Sequence, residues 1–175
     1  MKNKSNLLPY TIIILLMFIF IFCSCNNKKV LNKSIKNSSE IKVDELLKYK
    51  NSYVGDNSKV LNIISLLPGN NYRNEVNLQT NNKPYVINIT YMKNKNLEED
   101  YKNFWGNKNI DKFLQRNAVV LLSLIPNADI VEFNVEGINN NPYKYTRHNL
   151  ESKYGGNLKN LTRDKTSFEN FLNKY

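Results

Sequence analysis

The chain has 175 residues, with 25 Lys and Arg against 15 Asp and Glu, and 41% of its residues are hydrophobic. This length suits one domain with a real core, and the hydrophobic fraction, with 8 Phe and 11 Tyr, excludes a wholly disordered chain. One His, and two Cys that both lie near the N-terminus, exclude a Cys/His zinc site and a disulfide framework in the folded body. The net charge of +10 comes from scattered Lys, a pattern that does not indicate nucleic-acid binding. We therefore expect no metal site, no cofactor and no nucleic-acid partner.

The N-terminus has the pattern of an export signal. Lys2 and Lys4 precede an apolar block at residues 12–22, which is as long as the central region of a signal peptide and shorter than the ~20 residues of a membrane-spanning helix. Ser24-Cys25 follows and resembles a bacterial lipobox. We expect cleavage after Ser24 and acylation of the Cys25 thiol. Residues 1–24 are then a lipoprotein signal peptide.

Two residues depart from the usual lipobox, because Phe22 stands where Leu is common and Cys23 precedes Ser24. The alternative is an uncleaved anchor helix over Leu7–Cys25. The short apolar block and the Ser-Cys end favour cleavage. Two acyl chains form a stable anchor. We expect a protein on the extracellular face of the cell membrane, with residues 25–42 forming the lipidated Cys and a polar tether.

Residues 43–175 have the helical patterns of one folded domain. Apolar residues recur at helical spacing in several segments, and the first of these follows an N-cap at Asp56 and stops at Pro68-Gly69. A capping-box spacing at Thr166 opens the last segment. The predicted helices cover residues 57–67, 97–105, 110–125, 149–154 and 166–175.

Four segments alternate apolar and polar residues with the period of a half-buried strand. They lie at residues 75–79, 85–91, 131–136 and 143–147, so that two hairpins are separated by helices. This order predicts an α+β fold, with a single antiparallel sheet of about four strands and helices packed against it.

Several short segments resemble a known bacterial family. They are Leu47–Val60 (LKYKNSYVGDNSKV), Leu66-Leu67-Pro68, Leu78-Gln79-Thr80 and Pro84-Tyr85. The residues of these segments, and the order in which the segments occur, are similar to the domain of unknown function 4825, over about residues 46–135. The resemblance implies an envelope location, because this family is seen in exported lipoproteins of Firmicutes. It also implies a sensing or interaction role, since the domain occurs on membrane proteins that resemble antibiotic-sensing metallopeptidases. It supplies no catalytic residues.

The best candidate binding site in the sequence is the loop before the first long helix. Tyr53 offers a flat ring with a polar tip, and Gly55 gives the backbone more conformational freedom. Asp56 and Asn57 lead into a helix N-terminus, where anions bind readily. The alternative interpretation is an ordinary turn followed by an N-cap.

The sequence carries no catalytic constellation. It has no phosphate-binding loop and no Gly-x-Ser-x-Gly turn, and its one imidazole, His148, follows the cation Arg147. Glu132 and Glu136 lie on one strand face about 13 Å apart at ~3.3 Å per residue, whereas glycosidase carboxylates lie roughly 5–9.5 Å apart. We predict a non-enzymatic domain that binds a protein, peptide or wall polymer. The alternatives are an exported hydrolase built on dispersed carboxylates or His148, and an accessory sensor beside a membrane receptor.

Overall fold

The computed structural model describes residues 41–93, 95–106 and 108–174. The predicted signal peptide, Cys25 and the tether up to residue 40 lie outside these residues. All described residues belong to one compact unit. Ile41, which the sequence placed in the tether, is buried in the core of that unit. Within the described ranges, no helix has both the length and the apolar character needed to cross a bilayer.

The fold contains six helices and four strands in the described residues, which confirms the predicted α+β class. The strands follow the predicted order of two hairpins separated by helices. Three short 3-10 helices lie at Asn70–Tyr72, Lys95–Leu97 and Leu158–Thr162. The helices are α1 (Val43–Leu47), α2 (Asn57–Ser65), α3 (Glu98–Gly106), α4 (Ile110–Leu124), α5 (Arg147–Tyr154) and α6 (Lys165–Lys174). The strands are β1 (Arg73–Gln79), β2 (Val86–Tyr91), β3 (Ile130–Val135) and β4 (Tyr143–Thr146).

The sheet is mixed, with the strand order β1-β2-β3-β4. Each predicted hairpin is antiparallel, but β2 and β3 pair in parallel, so the prediction of a wholly antiparallel sheet was wrong in this one pairing. The reason is the connection. α3 and α4 carry the chain from the end of β2 back to the level at which β2 began, and β3 therefore runs in the same direction as β2.

Polar side chains define where the helices begin. Asp56 accepts a hydrogen bond from the Lys59 N–H at α2 (3.1 Å), and Asn109 accepts one from the Lys112 N–H at α4 (3.0 Å). The last helix differs from its prediction. Asp164 accepts the Ser167 N–H at 2.8 Å, so α6 begins at Lys165 rather than at Thr166. The Asp164 carboxylate is charged and pairs with Arg163, so it is a stronger acceptor than the Thr166 hydroxyl for the N–H groups at the start of α6.

The core lies between one face of the sheet and the helices. β2 and β3 each send alternate side chains into it, and the second half of α4 is buried almost entirely, as its apolar sequence predicts. Full burial of one large apolar side chain contributes about 1.5–3 kcal/mol to the stability of the fold. The fully buried side chains of the two central strands are Ile87, Ile89, Tyr91, Val131, Phe133 and Val135.

A cluster of aromatic side chains packs α3 against the sheet. The Trp105 ring lies 5.1 Å from the Tyr91 ring and 5.6 Å from the Phe113 ring, measured between centroids. The chain passes beneath this cluster at Gly69, whose φ of +95° is one that glycine adopts readily.

Candidate functional site

One face of the sheet points away from the described helices and carries mostly polar side chains. We call it the open face. The strand register arranges these side chains in three rows that cross the sheet. The rows are Gln79–Val86–Ile130–Thr146, Asn77–Asn88–Glu132–Lys144 and Glu75–Thr90–Asn134. Rows on one face lie about 7 Å apart and strands about 4.8 Å apart, so the open face is a regular lattice of polar groups.

Polar contacts join three side chains of the central row, and Asn134 of the next row, into one network. Lys144 Nζ lies 3.0 Å from Glu132 Oε1, and Asn88 Nδ2 donates to Glu132 Oε2 at 3.4 Å. Asn134 Nδ2 in turn donates to Asn88 Oδ1 at 3.1 Å. The Glu132 side chain is only 18% exposed, because its neighbours cover it. These contacts fix the positions of four polar side chains before any ligand arrives.

The open face is concave, with a cavity of about 570 Å³. Strand residues and Pro84 line this cavity. Its charged lining residues are Glu75, Glu132 and Lys144, so it has one excess negative charge on a chain of net charge +10. Amide and hydroxyl groups both donate and accept hydrogen bonds, and ionised carboxylates accept them. A surface of this kind suits a polar, extended ligand better than a compact apolar one.

The predicted binding loop is ordered by the fold. Tyr53 projects into solvent with 70% of its surface exposed, and the neighbouring Val54 is buried. Asp56 caps α2 and pairs with Lys59 at 3.0 Å, and hydrogen bonds from Lys59 hold the pKa of Asp56 below its usual value. The proposed anion position at this helix end is therefore filled by the chain's own carboxylate. Tyr53 and Asn57 are the loop side chains left exposed.

The same loop borders the edge strand β1. A cleft of about 350 Å³ separates the two, and we call it the edge cleft. It is lined by Val54, Gly55, Asn57, Val76, Asn77, Leu78 and Thr80. Asn77 lines both the edge cleft and the open face. The structure thus brings the predicted loop next to the open face, a relationship that no local sequence pattern could reveal.

His148 lies at a different cavity from the open face. It is exposed, and it shares a cavity of about 590 Å³ with Asp129, Arg147 and Glu151. Asp129 Oδ2 accepts the Tyr85 N–H at 2.8 Å, and Glu151 Oε1 accepts one hydrogen bond from Arg147 at 3.3 Å. These polar groups are engaged in holding the fold together, and Glu132 is not among the residues that line this cavity. Of the residues with described positions, no three His, Cys, Asp or Glu side chains cluster as metal ligands would.

Lys108 occupies a position that the sequence did not reveal. Its Nζ lies 3.2 Å from the centroid of the Phe104 ring and 4.4 Å from that of Phe113. Burial lowers the pKa of Lys108 to about 8. The contact arises only when α3 and α4 pack together, so sequence spacing gives no signal for it.

Comparison with known protein families identifies the family of this chain. The sequence model described as "Domain of unknown function (DUF4825)" matches residues 46–146, which is more than half of the chain. The match runs from the end of α1 to the end of β4, and so extends beyond residue 135, where the resemblance in the sequence ends. No curated protein and no solved structure matches the chain. The matched segment contains all four strands, the loop at Tyr53 and the open face, and the chain belongs to the DUF4825 family.

Proposed function

We propose that this chain is a lipid-anchored, non-enzymatic binding domain of the bacterial cell envelope. It binds a polar protein, peptide or wall-polymer ligand on the open face of its sheet. The observation that carries this proposal is the lattice of polar side chains that crosses all four strands on the face away from the described helices.

The network on the open face supports binding. Lys144 and Asn88 hold the Glu132 carboxylate in place, so its oxygens are fixed acceptors. Fixed groups lose little conformational freedom when a ligand arrives. A single hydrogen bond contributes only about 0.5–1.5 kcal/mol, whereas micromolar affinity needs about 8 kcal/mol. A ligand must therefore engage several rows at once, which favours an extended one.

The N-terminal pattern supports the location. Acylation of the Cys25 thiol, followed by removal of residues 1–24, supplies the anchor, and the polar tether carries the domain away from the lipid surface. A Cys25→Ser variant tests this part of the proposal in cells fed a radioactive fatty acid. We expect the label and the cleavage of the signal peptide to be lost together. Label retained in the variant would refute acylation at Cys25.

The open face is tested by capturing partners from intact cells that express the full chain. Thr90→Arg places a bulky cation on the open face, on a central strand and away from the sheet edge. Asn170→Arg adds the same group to an exposed position on α6 and is the matched control. After chemical crosslinking and mass spectrometry, we expect Thr90→Arg to lose the partners that Asn170→Arg retains. Equal partner sets in the two variants would rule out the open face as the binding surface.

A further inference from the structure

We propose that β1 accepts an extended peptide from a partner protein as a fifth strand, seated in the edge cleft beside the Tyr53–Asn57 loop. This inference rests on the proposed binding function and names its ligand class. The peptide binds through its backbone, by the hydrogen-bond pattern of a sheet.

The outer edge of β1 is available for pairing. β1 stands at the end of the strand order, and in the described structure the backbone of residues 74–79 forms hydrogen bonds with β2 alone. Proteins usually protect such an edge with Pro, Lys or a bulge. β1 has neither Pro nor Lys, and its one irregularity lies at the start, between Arg73 and Glu75. The remaining stretch to Gln79 is regular.

The loop forms a fixed wall opposite this edge. The Ser52 N–H donates to the Leu124 carbonyl oxygen at 3.0 Å, and the Val54 N–H donates to Asn127 Oδ1 at 2.9 Å. Tyr53 lies between these two anchored residues and is 70% exposed. An aromatic side chain held on a rigid backbone is a common energetic centre of a binding surface. The cleft is therefore formed before the ligand binds.

The register of β1 also dictates the pattern of the ligand. Successive side chains of an added strand point to opposite faces of the sheet. On one face they continue the rows that begin at Glu75, Asn77 and Gln79, and polar side chains fit there. On the other face they lie beside the half-buried Val76 and Leu78, and apolar side chains fit there. We therefore expect a ligand that alternates polar and apolar residues.

The charge of the chain selects a partner peptide over a second copy of the same chain. Two copies of this basic chain repel each other, whereas an acidic segment is attracted. An antiparallel pair of β1 strands from two copies is the competing arrangement, and the experiment detects it as a dimer.

The first experiment selects ligands for the purified full chain from a phage-displayed library of random linear peptides. We expect the selected peptides to alternate polar and apolar residues. We also expect them to slow amide hydrogen exchange in residues 74–79. A selection without binders, peptides that protect other segments, or a dimer formed through β1 would each overturn the proposal.

Two adjacent proline variants test the backbone pairing. The N–H groups of Asn77 and Leu78 point to opposite edges of β1, so one faces the cleft and the other pairs with β2. Proline is tolerated where the N–H faces solvent. We expect one of Asn77→Pro and Leu78→Pro to keep the native unfolding midpoint while weakening peptide binding at least tenfold. Native affinity in that stable variant would overturn the proposal.

Tyr53→Ala tests the aromatic anchor, with Met92→Ala as its matched control. Met92 is the other large hydrophobic residue with high exposure in the described chain, at 41%. We expect roughly tenfold weaker peptide binding in Tyr53→Ala and native binding in Met92→Ala. Equal affinities of the two variants would contradict the role of Tyr53.

The cellular capture separates this inference from the proposed function. If Thr90→Arg loses its partners while the stable proline variant and Tyr53→Ala retain theirs, the open face binds and the edge does not. The inference then fails and the proposed function stands. If all three variants retain every partner, both fail.

Discussion

Arg147 and Leu122 are joined by a hydrogen bond of 2.8 Å, which the guanidinium Nη2 donates to the carbonyl oxygen. The same guanidinium donates to the carbonyl oxygens of Ile125 (3.0 Å) and Ala128 (2.9 Å). A cation at the C-terminus of a helix donates hydrogen bonds to the last carbonyl groups and is attracted by the negative end of the helix dipole. Arg147, which the sequence presented as the neighbour of the one His, therefore caps α4.

Replacing Arg147 by Met is expected to lower the free energy of unfolding by about 3 kcal/mol, because three carbonyl oxygens lose a charged donor together. Urea denaturation followed by circular dichroism measures the change. Arg163→Met is the control, since Arg163 is exposed and its ion pair with Asp164 lies at the surface. We expect the control to lose about 0–1 kcal/mol. A similar loss in both variants would contradict the capping role.

Asn109→Ala is expected to destabilise the protein by about 1 kcal/mol, because the Lys112 N–H at the start of α4 loses its acceptor. Asn109→Asp keeps an acceptor and places a negative charge at the positive end of the helix dipole. We expect this variant to retain at least the native unfolding midpoint in a thermal scan. Equal midpoints for the two variants would show that the cap does not matter.

Gly69 and Gly55 form a matched pair for alanine substitution. At Gly69 the backbone φ of +95° strains any side chain, so Gly69→Ala is expected to cost about 1–2 kcal/mol of unfolding free energy. At Gly55 an added Cβ meets no atom within 4 Å and φ lies outside the left-handed region, so Gly55→Ala is expected to stay within about 0.5 kcal/mol. A large loss at Gly55 would instead support the idea that the loop needs glycine.

Lys108 is expected to make stability depend on pH. Burial lowers its pKa from the usual 10.5 to about 8, so between these pH values the unfolded chain binds more protons than the folded one. The contribution of Lys108 to the unfolding free energy therefore rises with pH across this interval. Lys108→Met removes the titration. The stability of the variant relative to the native chain should be most favourable below pH 8 and should decline towards pH 10.5.

Urea denaturation at a series of pH values measures this difference. Lys102→Met is the control, because Lys102 is exposed and pairs with Glu98. A difference between Lys108→Met and the native chain that stays constant across the interval would contradict the lowered pKa.

Elements with a strong local period could be predicted from the sequence. Ile87 and Ile89 alternate with Asn88 in β2, and the apolar second half of α4 indicated its burial. The parallel pairing of β2 with β3 could not be predicted, because parallel and antiparallel strands share the same alternation. The parallel pairing follows from the path of α3 and α4, which return the chain to the level at which β2 began.

The candidate site could be predicted only in part. The loop at Tyr53 was visible in local composition, and Glu132 was recognised as a polar residue of a strand. Their placement depends on register, since a shift of one residue would turn Glu132 into the core. The contact of Lys108 with Phe104 was not visible, because it forms only when two helices pack.

The chain contains one tryptophan, Trp105, and it is 1% exposed where α3 meets β2. Its emission spectrum is therefore an optical probe of a single junction, uncomplicated by other indoles. Loosening of α3 should shift this emission to the red, while a strand that docks on the outer edge of β1 should leave its wavelength unchanged. The molecule can in this way distinguish local docking from unfolding without an added label.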